Sequence, residues 1–207
     1  MEKEFIENAL KVMKFNIEEQ ETDLIKFVNM REYAVANSKE PLLLTIGLQS
    51  CIALIAYEKN FSFLAHMNVY KGNCKKDFEL DEKDEIVRCI KIDNLYEEIM
   101  KNKENITDTI NIGIVLGVTP VGKEHKSRQV IEKDLQEMFN KLRVNKISAR
   151  RLPNINSSSL ILDSRTGTII HDGVENENRI TNIAQNIGYE NKEDNIRWRL
   201  TKWALTK

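Results

Sequence analysis

Proline and glycine are scarce in this chain, at 3 and 8 of 207 residues, and no stretch is rich in either. Long polyproline or glycine-serine linkers are therefore not expected. No run reaches the roughly 18 apolar residues that a membrane-spanning helix needs. The N-terminal stretch also lacks the apolar centre of a signal peptide. We therefore expect a cytoplasmic protein without a membrane span.

An excess of one charge sign is also missing, because 31 lysines and arginines stand against 32 acidic residues, for a net charge of −1. Such a chain has no overall positive field that would attract nucleic acid or anionic lipid, so we expect no nucleic acid among its partners. Apolar and charged residues are plentiful, at 41% and 30%. This composition and length suit one packed domain.

Cysteine is rare as well, and its number is odd: Cys51, Cys74 and Cys89. None of them forms the C-x2-C pair of a zinc site, and no glycine-rich nucleotide-binding motif occurs. We expect free thiols, no metal and no cofactor. Cys74 has the polar surroundings of an exposed loop thiol, whereas Cys89 alternates with charged residues as in a half-buried strand.

Short apolar runs alternate with amphipathic segments along the chain. Apolar or alternating runs predict strands at 32–38, 41–48, 61–70 and 109–120 and a hairpin at 158–173. Helical spacing predicts helices at 3–30, 92–102, 127–142 and 194–207, the last a basic segment that would bury Trp198 and Trp203. Residues 51–58 fit either state. The pattern predicts an α/β (α+β) sandwich, in which mixed sheets pack against helices.

The stretch TIGLQSCIAL, residues 45–54, places Cys51 directly after a turn of Gly47, Leu48, Gln49 and Ser50. His66 follows fifteen positions later, and both residues lie at ends of predicted strands that a short turn joins. A thiol needs a base within reach to act as a nucleophile at neutral pH. Thr45 could orient the imidazole, and a helix starting at Cys51 would lower the thiol pKa. An inert buried cysteine is the common alternative.

Three ordered elements of this region resemble the chemoreceptor glutamine deamidases, the CheD family. The first is the Met-x-Glu-Tyr strand at residues 30–33, and the second is the Thr-x-Gly-Leu-x-Ser-Cys segment at 45–51. The third is the Ala-His pair at residues 65–66. The resemblance covers roughly residues 28–172. It fades where the family carries paired glycines on a middle strand and later in the chain, and Gln49 replaces the second glycine of the catalytic turn.

The resemblance implies Cys51 as nucleophile, His66 as acid and base, and Thr45 as the supporting residue of a cofactor-free protein glutamine deamidase. It also implies an oxyanion site at the turn of Gly47, Gln49 and Ser50, formed by backbone N–H groups near Ser50 and Cys51. Chemoreceptors would be the protein substrate, and a CheC-type phosphatase would be a partner.

The domain organisation that follows is a CheD-like domain at 28–173, a helical extension at 1–27 and a C-terminal extension with a basic helix at 174–207. Two other functions use the same residues. One is a binding or regulatory module that has lost activity, which the missing glycines favour. The other is a thiol hydrolase that acts on a small molecule.

Overall fold

The structure is a computed structural model that describes residues 23–37, 39–69, 74–119 and 125–171, together with the backbone of two strands at 189–192 and 195–199. The strands are β1 Ile25–Phe27, β2 Tyr33–Val35, β3 Leu42–Ile46, β4 Ile52–Glu58, β5 Phe61–Met67, β6 Phe78–Leu80, β7 Ile86–Cys89, β8 Ile110–Leu116, β9 Ala149–Arg151, β10 Ile155–Asn156, β11 Ser159–Asp163, β12 Thr168–His171, β13 Tyr189–Lys192 and β14 Asn195–Arg199. The helices are α1 Ile90–Lys101 and α2 Lys126–Val144.

The strands form two large mixed sheets and a small hairpin. The first sheet has the order β1-β3-β11-β12-β14-β13, with β1 parallel to β3 and antiparallel pairs elsewhere. The second has the order β10-β8-β4-β5-β2, and β9 continues its edge by pairing with β8. The hairpin β6–β7 leads into α1. The prediction of mixed sheets with helices is confirmed.

Alternation along the strands sorts the core into layers, because successive side chains point to opposite faces of a sheet. On β4, Ile52 and Leu54 belong to a cluster shared with α1 and α2, whereas Ala53 and Ile55 belong to a cluster shared with the first sheet. The helices therefore cover one face of the second sheet, and the first sheet covers its other face. A catalytic group on that inner face lies between the two sheets.

Most of the predicted elements are present within the described residues. Strands at 33–35, 42–46, 61–67 and 110–116, the hairpin at 159–171, and helices at 90–101 and 126–144 all confirm their predictions. Of the ambiguous segment 51–58, residues 52–58 form strand β4. The helix predicted at 3–30 is wrong at its C-terminal end, since 25–27 pair with β3. Its earlier part lies outside the described residues.

The C-terminal helix predicted at 194–207 is also wrong over 195–199, which form a strand that pairs with β12. Residues 25–27 and 195–199 both form their backbone hydrogen bonds with strands of the first sheet. This long-range pairing overrides the local helical spacing. Trp203 lies outside the described residues. Among the described residues, no helix has the length and apolar character needed to cross a membrane.

One short segment connects the two sheets and is called the strap here: residues Val28–Glu32, between β1 and β2. Its first N–H, on Val28, donates to Leu44 of the first sheet at 2.8 Å. Further along, Arg31 N donates to His66 O of the second sheet at 2.7 Å. Arg31 has a positive φ of 73°. The strap therefore crosses one end of the sandwich with both of its ends fixed.

Candidate active site

Cys51 is the residue immediately before β4, so of the two states that residues 51–58 fit, the helix is excluded. A strand offers no helix N-terminus, and the predicted lowering of the thiol pKa by a helix dipole has no basis. Burial instead raises the pKa of Cys51, and the charge of Asp77 raises it further. The thiol is 8% exposed. Cys51 is therefore a protonated thiol at neutral pH until a base removes its proton.

The turn before Cys51 is fixed by backbone hydrogen bonds to neighbouring loops. Leu48 N donates to Ser158 O at 2.7 Å, and the carbonyls of Leu48, Gln49 and Cys51 accept from residues 117–119 at 2.7–3.0 Å. Gly47 has a φ of +73°, a conformation that glycine adopts without strain. Among the backbone bonds of the described residues, the N–H groups of Ser50 and Cys51 are not donors. Both remain available to an oxyanion.

Gly117 lies so close to this turn that a side chain has no room. A Cβ there would overlap the carbonyl oxygens of Leu48 and Gln49, which are backbone atoms. We expect Gly117→Ala to displace the turn and to cost about 1–3 kcal/mol of unfolding free energy, as overpacking does. Urea unfolding measures this loss. Gly113→Ala, on the strand that ends just before Gly117, is the matched control, because its Cβ would meet only side chains, at 3.3 Å. Equal losses in both variants would contradict the role of Gly117.

His66 lies on β5 and faces the same side of the sheet as Cys51. His66 pairs with Ala53, and Cys51 is two residues before Ala53, so Cys51 and His66 are diagonal neighbours across β4 and β5. Diagonal neighbours are about 7–8 Å apart along an antiparallel pair, which long or aromatic side chains can span. The hairpin therefore places thiol and imidazole on one face of the sheet, with no direct hydrogen bond between them.

Thr45 fixes the tautomer of His66. The hydroxyl of Thr45 lies 2.9 Å from Val28 O and 2.8 Å from His66 Nδ1. A hydroxyl has one proton, and a carbonyl oxygen can only accept, so Thr45 donates to Val28. His66 Nδ1 must then carry a proton and donate to Thr45. In the neutral ring Nε2 is left unprotonated, and it has no hydrogen-bond partner among the described residues.

Burial lowers the pKa of His66 to about 4. The ring is 3% exposed, so the imidazolium would lose most of its hydration. At neutral pH His66 is therefore neutral and able to accept a proton at Nε2. Neutral thiol and neutral imidazole form the resting pair, and not the thiolate-imidazolium pair of an exposed cysteine site.

The lowered pKa of His66 gives folding stability a defined pH dependence. The unfolded ring has a pKa of about 6.5, so between that value and about 4 the unfolded state binds more protons. The stabilisation that comes from keeping His66 neutral in the folded state is complete above about pH 6.5 and is lost as pH falls to about 4. The loss is of the order of 3 kcal/mol. We expect His66→Gln to flatten the fall in stability over this window, measured by urea unfolding at several pH values against wild type. Parallel profiles would contradict the assignment.

Four residues that the sequence did not single out as functional also contribute to this site: Met30, Asn68, Asp77 and Lys91. Met30 Sδ lies 4.0 Å from Cys51 Sγ and 3.5 Å from Asn68 Nδ2. Asn68 is two residues after His66, and strand alternation alone would have placed it on the same face. Asp77 immediately precedes β6, where the acidic run masked any strand signal, and Lys91 lies in the first turn of α1.

Asp77 and Lys91 form a buried ion pair behind the thiol. Asp77 Oδ1 lies 3.6 Å from Lys91 Nζ, and their side chains are 0% and 7% exposed. Asp77 Oδ2 accepts from Asn68 N at 3.0 Å, and Lys91 Nζ donates to Arg31 O at 2.8 Å. Burial raises the pKa of Asp77, and Lys91 opposes this rise. The pair therefore fixes both the end of β5 and the strap.

The three cysteines are free thiols, and Cys51 is the most exposed of them. The prediction that Cys74 is exposed is wrong, since it is fully buried in the helix-side core together with Cys89. Burial raises the pKa of Cys89 to about 12. We expect alkylation of the folded protein to label Cys51 first, as measured by peptide mapping. Faster labelling of Cys74 would contradict an accessible thiol at Cys51.

The chain has two further histidines, His125 and His171. His125 immediately precedes α2 and is exposed, and its Nδ1 lies 2.6 Å from Ser127 Oγ. His171 ends β12 and is buried.

Comparison with known proteins gives no relative: the chain matches no protein-family model, and no curated protein resembles it significantly. Any function must therefore be argued from the geometry of the site.

Proposed function

We propose that this protein is a CheD-like deamidase that converts glutamine side chains of a protein substrate to glutamate. The observation that supports this most directly is the hydrogen-bond chain Val28–Thr45–His66, which leaves Nε2 unprotonated on the face of the sheet that also carries Cys51. Thr45 is a positioning residue in this reaction, and Cys51 and His66 are its catalytic residues.

The first half of the reaction breaks the amide. The Cys51 thiol gives its proton to His66 Nε2, and the sulfur attacks the carboxamide carbon. The N–H groups of Ser50 and Cys51 stabilise the resulting oxyanion. The proton on Nε2 then passes to the nitrogen of the substrate carboxamide, and the C–N bond breaks. Ammonia departs, and the substrate remains bound to Cys51 as a thioester.

The second half releases the product. Water gives a proton to Nε2 and attacks the thioester carbon, and the C–S bond breaks. The sulfur recovers its proton from His66, and the substrate keeps a carboxyl group. Every proton moves through the single nitrogen that Thr45 leaves free, so the cycle needs only the groups of this site and water.

The proposed substrates are chemoreceptor glutamines, and the proposed partner is a CheC-type phosphatase, both following from the resemblance at residues 30–66. The test is incubation of the protein with receptor cytoplasmic domains, followed by mass spectrometry of the glutamine peptides. We expect the mass gain of an amide-to-acid conversion, with release of ammonia. Cys51→Ala is the control, and equal conversion with both proteins would overturn the proposal.

A catalytically inactive binding module is the second candidate, and the burial of Cys51 at 8% exposure favours it. In that case the receptor or phosphatase would bind in a pull-down, while no glutamine would gain mass. Binding of the receptor or phosphatase without conversion of glutamine would therefore favour the binding module over the deamidase.

A further inference from the structure

His66 is held by its backbone as well as by its ring. Arg31 N donates to His66 O at 2.7 Å, and His66 N donates to Glu32 O at 3.1 Å, so both backbone groups of His66 bond to one end of the strap. The other end is fixed to the first sheet through Val28 N, and Val28 O accepts from Thr45. The strap therefore sets where the imidazole of the second sheet meets the hydroxyl of the first.

The conformation of the strap is unfavourable by itself and needs support. Arg31 has a φ of 73°, in the left-handed region that costs an arginine free energy. Such backbone persists where surrounding contacts hold it. Lys91 Nζ supplies a contact here, because it donates to Arg31 O at 2.8 Å. It also lies 5.8 Å from the ring centroid of Tyr33, the first residue after the strap. Lys91 of α1 therefore holds the second-sheet end of the strap.

Asp77 holds the other segment next to His66. Its Oδ2 accepts from the backbone N–H of Asn68 at 3.0 Å, and Asn68 is two residues after His66. Its Oδ1 lies 3.6 Å from Lys91 Nζ, and within the described part of the chain this oxygen accepts no hydrogen bond. The attraction between the two charges therefore couples the end of β5 to the strap.

Packing alone gives no reason for two charges at this place. The side chains of Asp77 and Lys91 are almost fully buried, and a buried ion pair loses hydration that apolar side chains never had. Apolar residues of similar volume would often give an equally stable core. A carboxylate and an ammonium can, however, accept from a backbone N–H and donate to a backbone carbonyl at fixed positions, which apolar groups cannot do.

We propose that Asp77 and Lys91 are a positioning pair that keeps His66 in register with Thr45, so that Nδ1 carries the ring proton and Nε2 stays unprotonated. If the strap shifts, the Thr45 hydroxyl loses its fixed acceptor at Val28 O and can donate to Nδ1, and the ring proton then moves to Nε2. The catalytic importance of the pair rests on the proposed deamidation, whereas the tautomer of His66 can be measured without any substrate.

Nitrogen NMR of the imidazole reads the tautomer, because protonated and unprotonated ring nitrogens have well-separated shifts. His66→Gln identifies the signals of His66, and we expect wild type at neutral pH to show the Nδ1–H form. Lys91→Met keeps an unbranched apolar stem and removes the charge and the donor. It should lower the ratio of the Nδ1–H form to the Nε2–H form about tenfold, the factor that one hydrogen bond supplies. Lys101→Met, at an exposed position of the same helix, is the matched control and should equal wild type.

A second variant separates positioning from stability. Lys91→Met alone leaves the charge of Asp77 buried without its partner, which lowers stability. The double variant Asp77→Asn with Lys91→Met removes both charges, and its asparagine retains an oxygen for the N–H of Asn68. We expect its urea midpoint to return towards wild type while its tautomers stay mixed, because the strap still lacks its donor. A wild-type tautomer ratio in the folded double variant, or mixed tautomers in Lys101→Met, would overturn the positioning pair.

The NMR measurement and the deamidation test fail independently of each other. A protein that shows the expected tautomers in wild type and in the variants, but converts no glutamine, would refute the deamidase and leave the positioning pair standing. Conversion of glutamine by wild type, together with an unchanged His66 ratio in the folded double variant, would refute the positioning pair and leave the deamidase.

Discussion

Replacing Cys51 with alanine is expected to abolish ammonia release from a receptor substrate. Cys51 is the only thiol of the three on the inner face, while Cys74 and Cys89 lie in the helix-side core, so no other sulfur can form the thioester. The change should leave the fold intact, because the side chain is small. Ammonia release per mole of folded protein is the measurement.

Cys51→Ser is the matched control for this prediction. It keeps a nucleophilic atom of similar size, yet a hydroxyl is much harder to ionise than a thiol. We expect it to be nearly as inactive as the alanine variant. If Cys51→Ala released ammonia at the wild-type rate, Cys51 would not be the nucleophile, and the binding module would be the function to pursue.

Replacing His66 with alanine is expected to lower the rate by about 10²–10⁴-fold for each proton transfer that His66 mediates. The loss should appear in kcat, because His66 acts on the reacting atoms. Thr45→Val should lose less, about tenfold, because one hydrogen bond that orients the ring is removed.

Thr45→Ser separates orientation from packing. Serine retains the hydroxyl that connects Val28 O to His66 Nδ1, whereas valine retains the shape and loses the hydroxyl. We expect the serine variant to approach wild type. If valine were as active as serine, the hydroxyl would have no part in holding the tautomer.

The elements that the sequence predicted correctly are those with strong local patterns. The run at β3, the alternation at β5 and the amphipathic segment of α2 each follow one period over many residues. The placement of Cys51 and His66 on one surface also follows from local information, since a tight hairpin joins their strands.

What could not be predicted depends on contacts between distant residues. Helical spacing at 25–27 gave no sign of β3 as a partner, and Thr45 meets His66 only because the two sheets face each other. The pKa of Cys51 was predicted in the wrong direction for the same reason. The pKa is raised by burial and by the charge of Asp77, which is 26 positions later in the chain and immediately before a hairpin that was not predicted.

The strap between the two sheets has a consequence for protein engineering. A surface turn between short strands is normally a good place for a tag, a protease site or new chain termini. Residues 28–32 look suitable by that criterion, yet their backbone holds the ring of His66 and the hydroxyl of Thr45 in register. An insertion there would leave a folded sandwich with a misaligned proton path. The turn at 164–167, which closes the β11–β12 hairpin by a bond from Gly167 N to Asp163 O, is the safer site for a label.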